Sequence, residues 1–151
     1  MDALTVAKEL YNQYSLEYHS SMDEMKMHKL MYFTQRESLM YNHMPLFDEP
    51  FCGWRYGPVL KSVRNEYKDN DVPFSKVMGQ ASGRVKKLVS SVLKRYGGMS
   101  SWKLSELSHG ELSWKRSRRG LASYENGNVE LELSAMKVDA ARELALRNAE
   151  S

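Results

Sequence analysis

The stretch KMHKLMYFTQRESLMYNHMPLFDEPFCGWRYGPVLKSV, residues 26–63, sets two patterns side by side. Up to Asn42 it is apolar on more than one side, through Met27, Leu30, Met31, Tyr32 and Phe33. A helix apolar over most of its circumference belongs at the centre of a domain, so the pattern predicts a core helix over about 22–42. SMDE, Ser21 to Glu24, has the form of a capping box at its start. From Pro45 the helical pattern fails, because Pro45, Pro50, Gly53, Gly57 and Pro58 stand too close together. Phe47, Phe51 and Trp54 suit one or two very short strands around the DEP turn. Pro58 suits the first position of a new helix, where its missing N–H costs nothing. That helix would carry Val59, Leu60, Val63 and Tyr67 inward. Trp54 is expected inside with its indole N–H satisfied, leaving Arg55 and Tyr56 as an exposed rim.

Outward from this stretch the chain reads as mostly helical. Leu4, Ala7, Tyr11, Tyr14 and Tyr18 recur at helical spacing before it. After it, KDND ends a helix, and 69–81 reads as a loop with a short extended piece at PFSKVM. A helix from near Ser82 carries Val85, Leu88, Val89, Val92, Leu93 and Tyr96 and stops at Gly97-Gly98. SSWKLSEL and ELSWKRSR read as two short helices joined at SHG. NVELEL alternates Val129, Leu131 and Leu133 against Glu130 and Glu132, a strand pattern. A last helix from about Ser134 to Asn148 carries Met136, Ala140 and Leu144. The fold class expected is mainly α (α+β): a single compact helical domain over 1–151 with a small two- or three-stranded β element.

Composition narrows the function classes. A chain of 151 residues buries enough surface to fold without a disulfide, and the single cysteine, Cys52, has no internal partner, which fits a reducing cytoplasm. The opening shows no signal-peptide pattern, and no run of about 20 apolar residues would span a membrane. The net charge of +3 permits acidic partners without singling out nucleic acid. The 10 methionines, of which Met22, Met25, Met27, Met31, Met40 and Met44 cluster around the core helix, suit packing and adaptable contacts.

Catalytic and metal signals are thin. The four histidines, His19, His28, His43 and His109, lack metal-ligand spacing, and Cys52 has no CxxC partner. No cofactor motif is present. His109 and Glu111 in SHGEL invite a general-base reading, but a histidine that closes the loop between two helices explains them better. The run WKRSRR, Trp114 to Arg119, offers phosphate-neutralising cations and a stacking ring. A solvated face or a docking patch for an acidic protein surface are the alternatives.

Two separated blocks resemble the Panacea antitoxin domain found in SocA-type antitoxins and prophage-associated proteins. The first carries the family's KLxKLLYF helix at Lys26, Lys29, Leu30, Tyr32 and Phe33. It continues with PLF at Pro45, Leu46 and Phe47, and with AWxYGPV at Trp54, Tyr56, Gly57, Pro58 and Val59. The second, resembling LSxLTHxExPWxxAR, supplies Leu104, Leu107, His109, Glu111, Trp114 and Arg118. The blocks span about 22–118. Gly53 stands where the family often has alanine, Cys52 where an acidic residue is common, and Arg64 where an aromatic is frequent. Ser108, Ser113 and Ser117 replace the usual threonine, proline and alanine, and the segment from Gly120 onward, with the strand and helix over about 128–148, matches poorly.

The resemblance implies a non-enzymatic antitoxin, without cofactor or metal, that neutralises a co-encoded toxin by direct protein binding. A nucleic-acid-binding regulator and an adaptor delivering a toxin to a protease are the alternatives. The expected contact residues are Arg55, Tyr56, Lys115, Arg116 and Arg119. Trp54, His109, Glu111 and Trp114 are expected to hold these pieces in place.

Overall fold

The computed structural model describes residues 2–150. Seven helices and one hairpin follow in the order α1 (Ala3–Tyr18), α2 (Glu24–Asn42), β1 (Cys52–Trp54), β2 (Gly57–Val59), α3 (Lys61–Asp69), α4 (Gly83–Tyr96), α5 (Ser101–His109), α6 (Leu112–Ser117) and α7 (Leu133–Glu150). The mainly helical class with a small β element is what the sequence led us to expect.

Helix α2 is the axis. Its residues from Lys26 to Met40 are all buried, and it packs against α1, α4, α5, α7 and β2. Met27, Leu30, Met31, Tyr32 and Phe33 are fully enclosed, and each such side chain contributes roughly 1.5–3 kcal/mol of burial free energy. Four of the clustered methionines, Met22, Met27, Met31 and Met40, are core, whereas Met25 and Met44 are exposed. The N-cap is Asp23, whose carboxylate accepts from Lys26 N at 2.8 Å. The expected Ser21–Glu24 box is therefore displaced: Glu24 is already the first helical residue and turns to His28 at 3.0 Å. The PLF segment is clamped to α2 by Gln35, which donates to Phe47 O (2.9 Å) and accepts from Leu46 N (2.7 Å).

The hairpin differs from expectation in register. The strands flank Arg55-Tyr56, not DEP, pairing Cys52 with Val59, Gly53 with Pro58 and Trp54 with Gly57. Pro58 is thus a strand residue, and α3 begins at Lys61 with Leu60 as its N-cap. The proline is tolerated because Gly53 and Pro58 form the non-hydrogen-bonded pair next to a two-residue turn, where no ladder N–H is required. Gly57 absorbs the turn with φ +133°, a conformation open essentially to glycine.

NVELEL does not form a strand of its own. Gly53 N donates to Val129 O and Leu131 N to Phe51 O, both at 2.8 Å, giving only a bridge between Cys52 and Glu130 before α7 starts. PFSKVM is a turn without extended structure. Helix α4 begins as expected, with Ser82 Oγ accepting from Val85 N. Gly97 closes it in a right-handed conformation, not the left-handed glycine cap.

Candidate functional site

A polar network beneath the surface fixes α6. Asp139, on α7 and 1% exposed, accepts from the backbone N–H of Leu112 (2.7 Å) and Ser113 (2.9 Å), the first residues of α6. A carboxylate on these orphan amides is favoured by hydrogen bonding and by the helix dipole. The Tyr32 hydroxyl, with one proton to donate, lies 3.2 Å from Glu111, 3.3 Å from Asp139 and 2.9 Å from the Ser113 hydroxyl. Glu111 accepts from Arg36 at 2.6 Å, and Arg36 also donates to Tyr96 Oη at 2.7 Å. Arg147 continues the network to Tyr96, Glu37 and Tyr41. Burial, then the Glu111 and Asp139 charges, hold the Tyr32 phenol well above its ordinary pKa. Burial also raises the Glu111 carboxyl, against the pull of Arg36.

Glu111 and His109 therefore work apart. Glu111 is an internal ion-pair partner, whereas His109 stacks on Trp114 with ring centroids 4.2 Å apart and 8° between planes. Burial, followed by the Lys29 and Arg118 charges, pushes the imidazole below its ordinary pKa, with the Tyr56 backbone acting in the opposite sense. His109 Nε2 has no hydrogen-bond partner, so the ring is held by its stacking on Trp114 and by the Tyr56 backbone.

These contacts bolt α6 to the hairpin. Trp114 Nε1 donates to Trp54 O at 2.8 Å. Arg118 lies over the Trp114 ring and donates to Gly53 O at 3.0 Å, to Ala122 O and to Glu125 O. Trp54 itself is half-buried, and its indole N–H lacks a partner. The expectation of a buried, satisfied Trp54 is thereby corrected: of the two rings, Trp114 has the bonded indole.

From α2, Lys29 reaches the tip. Its ammonium donates to Tyr56 O at 2.6 Å. Lys29 is only 2% exposed and makes no ion pair among the described residues. Burial lowers its pKa to about 8. A Cβ on Gly57 would lie 3.1 Å from this Nζ, a second reason for glycine there. Lys26 donates weakly to Tyr14 Oη and sits over that ring.

The surface so held consists of a rim and a groove. Arg55 is exposed and Tyr56 is 55% exposed, with the guanidinium 4.7 Å from the ring centre. A groove of about 880 Å³ runs from the start of α2 to the hairpin, with Met25, Lys29, Trp54, Tyr56 and Val59 among its walls. On its edge Glu24 pairs with Arg64 (2.9 Å) and His28 (3.0 Å). The His28 hydrogen bond and the Arg64 charge hold that carboxyl below its usual range despite burial. Of the basic run, Lys115, Arg116 and Arg119 are exposed and Arg118 is buried.

Arg36, Tyr96, Asp139 and Arg147 were not anticipated. Their signal was the polar run Thr34 to Ser38 inside an otherwise core helix, since buried charges require partners elsewhere in the chain. No group of three or more His, Cys, Asp or Glu side chains placed to hold a metal occurs among the described residues, and no helix there is long and apolar enough to cross a membrane.

No curated protein and no solved structure matches this chain. Residues 27–115, which include most of α2, the hairpin, α3, α4, α5 and most of α6, match the family described as antitoxin SocA-like, Panacea domain. With most of its length matched and both motif blocks assembled around one hairpin, the chain belongs to the SocA-like Panacea antitoxin family.

Proposed function

We propose that this protein is an antitoxin that neutralises a co-encoded toxin in the cytoplasm by binding it directly. The contact face is the Arg55-Tyr56 turn, extended by Lys115, Arg116 and Arg119. The observation that carries this reading is the contrast at the hairpin. Its first strand is fixed by Trp114 and Arg118 and its turn by Lys29, while the side chains at the tip offer an arginine and a tyrosine to solvent. Arginine, tyrosine and tryptophan are the residue types that dominate interface hot spots, and a braced tip loses little entropy on binding.

Growth rescue tests it. The neighbouring gene is expressed under tight control with and without this protein, and the tagged protein is then recovered from surviving cells. Rescue with a co-purifying toxin supports the direct blocker. Rescue that needs a cellular protease and yields no stable complex assigns the protein to the adaptor class. Absence of rescue overturns the antitoxin reading.

A further inference from the structure

We infer that the groove between the start of α2 and the hairpin receives a segment of the partner protein that carries an acidic side chain beside a large apolar one. The inference rests on the antitoxin reading and names what its site would hold. The apolar requirement comes from the walls: Met25, Trp54 and Tyr56 line the groove, and Met25 and Tyr56 are half exposed to solvent. Surface of this kind gains most from an aromatic or branched aliphatic side chain.

The acidic requirement comes from charges that the chain leaves unbalanced. Lys29 is enclosed, lines the groove, and uses one of its three ammonium donors on Tyr56 O. Arg55 makes only a 3.4 Å contact to Tyr124 O and a ring contact to Tyr56. Neither has a carboxylate partner among the described residues. The carboxylates that do line the groove are engaged: Asp23 caps α2, and Glu24 is held by His28 and Arg64. The first turn of α5 also reaches the groove at Ser101, adding the positive end of a helix to the same wall. A buried cation is stabilised most by an anion that arrives with a hydrogen bond, so a partner carboxylate supplies what Lys29 lacks.

The test uses two capped peptides, acetyl-AFDLA-amide and its neutral twin acetyl-AFNLA-amide, titrated into the isotope-labelled full chain. The acidic peptide is expected to shift the Trp54 indole and Gly57 amide signals saturably. It should bind at least about tenfold more tightly than the twin, the scale of one charge-assisted hydrogen bond. Lys29→Met should erase that preference, and thermal melting shows whether this variant is folded. The peptide pair itself needs no change to the protein, so the inference remains testable if the variant unfolds. Equal binding of the two peptides, shifts confined to other surfaces, or no shift at millimolar peptide would each overturn it. Growth rescue together with equal peptide binding discards the groove chemistry alone. Acid-selective binding without rescue retains the peptide groove and discards the antitoxin reading.

Discussion

A methyl group on Gly53 would stand 1.9 Å from Oγ of Ser117, so β1 and α6 meet through a residue that has no side chain. The same hydroxyl donates to Trp114 O at 2.6 Å. The family resemblance places alanine at both positions, and the two departures fit as a pair: room given up on one element is filled by an oxygen on the other. Gly53→Ala should cost about 1–3 kcal/mol through overpacking. Adding Ser117→Ala should recover part of it, and only part, because Ser117 Cβ would still lie 2.8 Å from the new methyl. A urea-denaturation double-mutant cycle reads the coupling. Additive losses would show that the contact relaxes elsewhere.

Asp139 is expected to be the most sensitive residue of α7. Removing its carboxylate in Asp139→Ala leaves the backbone N–H groups of Leu112 and Ser113 without their acceptor and takes from the Tyr32 hydroxyl one of its two carboxylate neighbours. The loss should be about 2–4 kcal/mol, seen as a lower urea midpoint with an unchanged slope. Val138→Ala, one residue away and 53% exposed, should stay within about 0.5 kcal/mol of the parent.

The two tryptophans should separate. Trp114→Phe keeps an aromatic face for His109 but deprives Trp54 O of its donor, a loss of about 1–2 kcal/mol. Trp54→Phe gives up an indole N–H that has no partner and should cost less. Melting temperatures of the two variants, measured side by side, check the order.

Lys29 should make stability depend on pH in a definite direction. Its folded pKa is lowered by burial from 10.5 to about 8. Between those values the unfolded chain holds a proton that the folded chain lacks, so stability rises with pH there. Below about pH 8 the cost of enclosing the charge is present in full. Burial raises the Cys52 thiol from 9.0 and the Tyr67 phenol from 10.0, and both groups oppose the rise from about pH 9 upward. Urea midpoints should therefore increase from pH 8 to 9 in the parent protein and stay flat in Lys29→Met.

Arg55→Ala should weaken toxin binding at least about tenfold while moving stability by no more than about 0.5 kcal/mol, because its contacts are one 3.4 Å hydrogen bond and a ring. Calorimetric titration beside a thermal melt separates the two effects. A variant that binds normally moves the contact face away from the hairpin tip.

Much of the helical frame was legible because its signals are local: apolar spacing in α1, α2 and α4, the Ser82 cap, and the glycines that end α4 and α5. The readings that failed turned on distant partners. Val129 to Leu133 alternates like a strand, yet it meets the edge at Phe51 to Gly53 through one bridge before the chain passes into α7. Pro58 has the chemistry of a helix start, but the two-residue turn sets it opposite Gly53. The rim residues Arg55 and Tyr56 could be read from their neighbours. The groove could not, since Met25, Ser101 and Tyr56 come from three elements.

The carboxylate that caps α6 lies outside the stretch shared with the family, which ends at residue 115. The family-matched part of this protein is thus completed by a residue beyond it. Moving residues 27–115 without α7 would transfer the motifs without the acceptor that orders them. Exchange between family members should therefore succeed when α6 and α7 travel together and fail when the boundary falls between them.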